Sequence, residues 1–453
     1  MRRGVVARRG RSECGKQRVN QQPTTVAGEW RAHWPLAMSA MAGMSLGSVA
    51  VYSLGLFMSP LQQAFGWSRA EVSSGMLVFA VIGMLVSPFA GAIVDRWGTR
   101  RLTVSGVVLT SFAIAAFAFT NQSLAVWWGL WALFSLASMA VSPVAWTAAV
   151  SGAFKIGRGL ALATTLCGVA ISALAGPALS RWAIDSYGWR AAFVVLGLGW
   201  GGMVFVPVAL FFHDARAQRT HSMSKAELRD DDAAASIASA ALPGLTFNEI
   251  LRRPVFWKLF ISQIVFITLV TAMLIHMIPI LTGKGLSRTT AAYVLGAYGI
   301  ASIAGKLGSG WVLDRVQGPQ VGAGMVAAMA ISCIVLLLGD QSVLAATIAV
   351  ATLGFSAGGN LACGSYMTTR YVGLRAYGKA YGVITGSSSL AAGVGPWIGG
   401  LVYDHFHGYG VLLTVTIPLT LLCGLLIASL GGYPHWPNAG ALSAVEEAGA
   451  PRL

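Results

Sequence analysis

Long apolar runs alternate along the chain with short polar breaks marked by Gly, Pro or charge. Runs near 34–58, 72–94, 102–120, 124–149, 159–182 and 190–212 are followed by runs near 256–282, 290–313, 321–339, 342–364, 380–402 and 409–431. Each is about 20 residues, the length that crosses a bilayer as a helix. In hydrocarbon every backbone amide has to be satisfied within its own segment, so such runs predict helices and no open strands. The pattern divides six and six, and the division follows a repeat. Pro35, Pro60, Asp95-Arg96, Pro177 and Asp185 return as Pro254, Pro279, Asp314-Arg315, Pro396 and Asp404 (254 − 35 and 404 − 185 both give 219). Gly66-Trp67-Ser68-Arg69 returns at that offset as Gly285-Leu286-Ser287-Arg288. A register kept over that distance marks two copies of one unit. In membranes, parallel duplication with a site between the copies points to a transporter.

The expected organisation is a disordered tail over 1–33, a six-helix bundle over 34–212, a linker over 213–255, a second bundle over 256–431 and a tail over 432–453. The linker holds Asp230-Asp231-Asp232 and the Ala/Ser-rich stretch Ala233 to Ala241, a composition that cannot bury a core and forms a short surface helix at most. The first thirty residues are Arg-rich and lack the apolar centre of a signal peptide. Met38 and Met41, at the first apolar run, are alternative starts.

Composition agrees with the pattern. Apolar residues make up 55% of the chain and charged residues 10%, against about 25% charged in a soluble protein. That changes the meaning of the net charge of +15. Basic residues in a membrane protein mark cytoplasmic loops, and no basic groove with interleaved aromatics points to nucleic acid. With the N-terminus inside, the inner side holds Arg96, Arg100, Arg101, Lys155, Arg158, Arg252, Arg253, Lys258, Arg315, Arg370, Arg375 and Lys379, while the outer loops hold Arg69, Arg181, Arg190, Lys284 and Arg288. Both termini are therefore expected in the cytoplasm. Cys14 lies in the tail, and Cys167, Cys333, Cys363 and Cys423 lie in apolar runs without Cys-x-x-Cys spacing. Neither a zinc site nor a disulfide framework is indicated. No nucleotide loop or cofactor motif is visible, and the constellations of an enzyme are missing.

The junction Gly91-Ala-Ile-Val-Asp95-Arg96-Trp-Gly98-Thr-Arg100-Arg101 resembles the signature loop of the major facilitator superfamily. Its counterpart in the second half is Gly310-Trp-Val-Leu-Asp314-Arg315-Val-Gln-Gly318, with an extra residue before Gly318 and no following Arg pair. The resemblance implies an all-α membrane protein of twelve helices in two parallel six-helix repeats, with these loops as a cytoplasmic gate. The electrostatics fit a gate. Asp95 falls at a helix C-terminus, where the dipole disfavours an anion, so it needs Arg96, Arg100, Arg101 or the start of a neighbouring helix as partner. Plain helix termination with a charge anchor is the alternative.

A narrower resemblance rests on Phe65-Gly66-Trp67-Ser68-Arg69, His276-Met-Ile-Pro279, Gly305-Lys306-x-x-x-Gly310 and Gly354-Phe-Ser-Ala-Gly358-Gly359. These are similar to the monocarboxylate-transporter branch, which includes the bacterial oxalate/formate exchangers. The resemblance implies a small carboxylate cargo, often moved with a proton, and a basic residue in the eighth helix that meets it. Lys306 matches that position, where the family usually has Arg. Lys forgoes bidentate recognition of a carboxylate.

Lys306 also stands out on its own. It lies eight residues before Asp314, about 12 Å along a helix, and an ammonium at such a depth costs at least about 2.5 kcal/mol. A compensating anion or a wet cavity is expected; snorkelling to the interface is the alternative. The residue at the matching position of the first half is Ser87, so the charge belongs to one half only. The acids, among them Glu71, Asp95, Asp185, Asp314 and Asp404, fall in loops, helix ends and tails. A lone mid-membrane cation favours an anionic cargo over a cationic one. His276 is the imidazole inside a span, a candidate proton carrier with an ordinary pKa near 6.5 or a hydrogen-bonded packing residue. Asn360 and Tyr52 are candidates to line a central cavity or to bond a neighbouring helix. The expectation is a monomeric secondary carrier of small organic anions, without cofactor or metal, in a bacterial-type inner membrane. An efflux carrier of the same superfamily and a non-transporting membrane sensor are the rivals.

Overall fold

The computed structural model describes residues 25–154, 157–212, 244–313, 315–316, 319–339, 341–373 and 375–434, and for 87–97, 144 and 148 the backbone alone. Apart from a single β-bridge between Gly244 and Gly373, the regular elements among these residues are helical. The first half comprises α1 (Val26–Phe65), α2 (Arg69–Trp97), α3 (Thr99–Ala116), α4 (Leu124–Ser138), α5 (Pro143–Ala153), α6 (Arg158–Val194) and α7 (Gly201–Phe211). The second comprises α8 (Phe247–Arg252), α9 (Pro254–Gly283), α10 (Arg288–Leu313), α11 (Gln320–Leu338), α12 (Val343–Val372), α13 (Tyr377–Phe406) and α14 (Gly410–Ala428).

Nine helical segments among the described residues are long and apolar enough to cross a membrane. One of them, Arg158–Phe211, is 54 residues long and would reach about 80 Å if straight. It reverses at Gly188, whose φ of 82° and ψ of 167° break the helix; the left-handed φ favours glycine there. Two passes result. The polar and Gly-rich α10 and α13 cross as well, which gives twelve passes. Met139–Val141 and Pro143 divide the fourth pass into α4 and α5, a break at Pro143 that the continuous apolar run did not predict.

Helix α1 starts inside the region expected to be a disordered tail. Thr25 caps it by accepting from Gly28 N–H at 3.1 Å, the usual device for an orphan donor at a helix start. Glu29 is buried and accepts from Gly157 N–H at 2.8 Å, and Trp30 packs on Phe154. These contacts extend the ordered chain to Val26. Within the expected linker, 213–243 lies outside the described residues. After it, α8 carries a capping box in which Thr246 and Glu249 satisfy each other's backbone N–H.

Each half has its own core. Trp127, Trp131, Trp146, Phe117 and Phe134 anchor the first, and Phe266, Met273, Met329 and Leu353 lie in the second. Among the described residues, Leu56 and Ala173 of the first half join the second core, with Tyr52 and Ile184 packed against it, and Ile275 joins the first. Large apolar residues such as Phe112, Met203, Leu338 and Leu425 are exposed and form the surface that lipid would cover. The halves meet along three seams: α1 on α9, α2 on α13, and α6 on α10. We call the side of residues 25 and 434 the terminal face and the other the distal face.

Candidate functional site

Glycine sets the rotation of the helices around the site. On α12, an added Cβ at Gly354 or Gly358 would meet the backbone of Tyr298 or Ser302 at under 3 Å, and one at Gly305 would meet Phe355 O at 2.2 Å. The α10–α12 contact is therefore backbone to backbone, as small residues allow in membranes. Asn360, two residues past Gly358, is turned to another side of α12. There its Nδ2 donates to Gln263 Oε1 of α9 at 3.1 Å.

Asn360 and Gln263 line a cavity of about 300 Å³ between α9, α12, α13 and the end of α14. Its polar groups are hydroxyls and amides, including Thr271, Tyr381, Thr385 and Ser388; none of its lining residues is charged. Thr271, Thr385 and Ser388 donate back to carbonyls on their own helices at 2.7 to 2.9 Å. Those hydroxyls face the cavity as acceptors, so its donor capacity lies in the amides of Asn360 and Gln263 and the hydroxyl of Tyr381.

Lys306 does not line this cavity. An added Cβ at Gly296 or Gly299 would meet Leu174 or Ala170 of α6, and Lys306 continues that stripe seven residues on. It is half-buried on the α6–α10 seam, with Cys167 of α6 in electrostatic reach. Its ammonium forms no hydrogen bond or ion pair among the described residues; its carbonyl accepts from Ser309 Oγ at 3.2 Å. Tyr52 faces Tyr298 across the halves, with ring centroids 6.1 Å apart.

His276 is fully buried on α9, near the distal face. Its Nε2 lies 2.8 Å from Pro396 O and its Nδ1 lies 2.6 Å from Tyr409 Oη. A carbonyl only accepts, so Nε2 carries the proton and Nδ1 accepts from the Tyr409 hydroxyl. That hydroxyl accepts in turn from Arg69 Nη1 at 2.6 Å. Ser73 of α2 is within 3.4 Å of the same imidazole.

The signature-loop residues are only partly described. Of Gly91, Asp95 and Arg96 only the backbone is described, and Asp314 lies outside the described residues. Gly98 precedes α3 with φ 77°. Arg100 donates to Ala209 O in its own half at 3.2 Å, and Arg101 is exposed. Arg315 folds back on Trp311, bonding its carbonyl and covering its ring at 3.8 Å. Gly310 borders a recess with Tyr366 and Arg370 at the terminal face.

Gln263 and Tyr409 take part in these networks without having stood out in the sequence, and Arg69 and Asp404, marked there as repeat positions, had no role at a site. A Gln on an apolar helix signals little. Arg69 and Asp404 read as ordinary loop charges, because their meeting joins positions 335 residues apart.

Two helical halves joined by helix-to-helix seams, with a neutral cavity inside the second half, define a polytopic membrane protein of duplicated design. Residues 38–363 and 277–449 match the family model of the Major Facilitator Superfamily, and the chain belongs to that family of transporters. It is 23% identical to monocarboxylate transporter 13 of Bos taurus over 63% of this chain, a match that spans 62% of the bovine protein. It is 24% identical to the 4-hydroxybenzoate transporter PcaK of Acinetobacter baylyi over 85% of this chain and 88% of that one. In fold it is similar to a D-xylose-proton symporter, with a TM-score of 0.68 at 13% identity, covering 88% of this chain and 98% of the other.

Proposed function

We propose that this transporter carries small organic anions, monocarboxylates above all, by alternating access between its two halves. The observation that carries the reading is Lys306: a half-buried cation on an inter-half seam, without an acidic partner among the described residues. A carboxylate is the natural counter-ion for such a group. The neutral lining of the cavity supports the same reading. It offers the Asn360 donor and apolar wall to the body of an organic acid and no carboxylate to attract a cation. The names of the bovine and Acinetobacter relatives, both carriers of acids, agree with it.

In this proposal the protein is a monomer in the inner membrane with both termini in the cytoplasm, as the distribution of Lys and Arg favours. The signature loops close the cytoplasmic side when the distal side opens. A proton accompanies the anion, with His276 as its carrier: Nδ1 accepts a proton when Tyr409 gives up its bond to the ring.

Binding tests the cargo class directly. A ligand at a hundred times its Kd adds about 2.7 kcal/mol of stability. Lactate, pyruvate, formate, oxalate and 4-hydroxybenzoate are to be compared with amines of matching size in thermal unfolding of the purified protein. Stabilisation by at least one acid and by none of the amines is expected. Stabilisation by the amines alone would refute the anion reading.

A further inference from the structure

The first turn of α2 is capped by the other half of the molecule. Asp404, at the end of α13, accepts from Arg69 N–H at 3.0 Å through Oδ1 and from Ala70 N–H at 2.8 Å through Oδ2. The next amide, Glu71 N–H, is taken within the first half by Ser68 Oγ at 3.1 Å. An anion at a helix N-terminus is favoured both by the dipole and by orphan N–H donors. The first half answers in kind. Arg69 lays its guanidinium 3.4 Å from the centre of the Tyr403 ring and bonds Tyr409. Tyr409 holds His276, and Ser73 of α2 approaches that ring. Gly400 makes room, since a Cβ there would stand 2.6 Å from the backbone of Ala70.

The matching corner of the repeat is built differently. Asp185 and Arg288 occupy the positions of Asp404 and Arg69 in the other copy. Where α13 has Gly400, α6 has Arg181, and Arg181 pairs with Asp185 at 2.7 Å. That aspartate is neutralised on its own helix. Ser287 Oγ, and no acid of the opposite half, accepts from Thr290 N–H at 3.0 Å near the start of α10. Across the halves this corner has side-chain hydrogen bonds to hydroxyls: Arg288 donates to Ser59 Oγ at 2.7 Å and Arg181 Nε to Thr289 Oγ1 at 3.5 Å.

We infer that Asp404 and Arg69 form a latch on the distal face, a reciprocal clamp between halves that holds one corner shut, while the matching corner at Asp185, joined by exposed bonds to hydroxyls and without a carboxylate cap, parts first. The loop signature lies on the terminal face and has no share in this latch. The inference does not depend on which cargo is carried, because its test needs none.

The test is pulsed electron-electron distance measurement on spin-labelled protein in lipid nanodiscs, with the native cysteines replaced. Labels at Gln122→Cys and Val411→Cys report the latched corner; labels at Gln63→Cys and Ser287→Cys report the matching one. All four sites are exposed. Asp404→Ala is expected to raise the ratio of long to short Gln122–Val411 distances about tenfold, the effect of losing charge-assisted hydrogen bonds. Asp185→Ala leaves both ratios near those of the parent. Should Asp404→Ala fail to fold, Arg69→Lys keeps the charge but forgoes the stacking and the reach to Tyr409, and shifts the same ratio in the same direction. Unchanged Gln122–Val411 distances in both latch variants overturn the inference, as does a shift in Asp185→Ala as large as that in Asp404→Ala.

Discussion

In the proposed function Lys306 and Asn360, which lie in separate places, would divide the work that an organic anion requires of the protein. Lys306 offers charge without direction, because an ammonium is a point donor. Asn360 offers direction without charge, held by Gln263. Removing the Asn360 side chain as Asn360→Ala deletes one neutral hydrogen bond to the cargo, worth about 1 kcal/mol. We expect KM to rise about fivefold with kcat little changed; an unchanged KM would remove Asn360 from the site. His276 is a different case. Its ring nitrogens are both engaged on the distal side, so His276→Gln should abolish stimulation by an imposed pH step while anion exchange persists. Equal stimulation in parent and variant would take the proton from His276. Lys306 was legible in the sequence because charge in an apolar run is costly wherever it lies. Its distance from the Asn360 cavity was not, since that depends on helix rotation, which the glycines of α10 and α12 fix through backbone contacts.

At the scale of elements, the seams depend on close backbone approach. Gly400 on α13 faces Ala70, Gly55 on α1 faces Ile275 O, and Gly299 on α10 faces Ala170 O. Gly400→Val places a branched side chain against backbone that cannot yield, and overpacking of this kind costs about 1–3 kcal/mol. The variant should insert normally but favour an open distal face, read as faster labelling of an introduced Ser73→Cys by an impermeant maleimide from that side. Labelling at the parental rate would mean that the seam tolerates the change. Helix α8 gives a pH-dependent case outside the membrane. Hydrogen bonding to Thr246 holds the exposed Glu249 carboxyl below its ordinary value, with Arg375 and Arg253 adding to the effect. A lowered folded-state pKa stabilises above the unfolded value and is lost as pH falls through the folded one. Amide protection over 247–252, corrected for intrinsic exchange, should therefore fall on acidification below the ordinary carboxylate range, and Glu249→Gln should flatten that dependence. A pH-dependence retained in the variant would assign it elsewhere. The apolar runs announced the long helices well. They missed the start of α1, because Glu29 and Trp30 are held by Gly157 and Phe154, partners more than a hundred residues away.

For the whole molecule, the named contacts between halves cluster toward the distal face. Gly55 touches Ile275, Ala70 touches Gly400, and Arg288 bonds Ser59. A molecule shut there must release those contacts to expose the far side, and separate cores let each half move as a body. The repeat made the two halves visible in the sequence, since prolines and helix-end acids kept their spacing. It concealed their inequality. Arg181 against Gly400 is a single difference at matched positions, and its consequence emerges only where Asp404 reaches α2.

Lys306 is the proposed partner of an anionic cargo, and the carboxylate assignment stands or falls with it. The decisive measurement is uptake of labelled lactate, pyruvate, formate, oxalate and 4-hydroxybenzoate into liposomes containing parent, Lys306→Gln or Lys306→Arg protein, normalised to the amount reconstituted. The prediction is uptake of at least one acid by the parent, its loss in Lys306→Gln, and recovery in Lys306→Arg. Uptake by Lys306→Gln at the parental rate would contradict it.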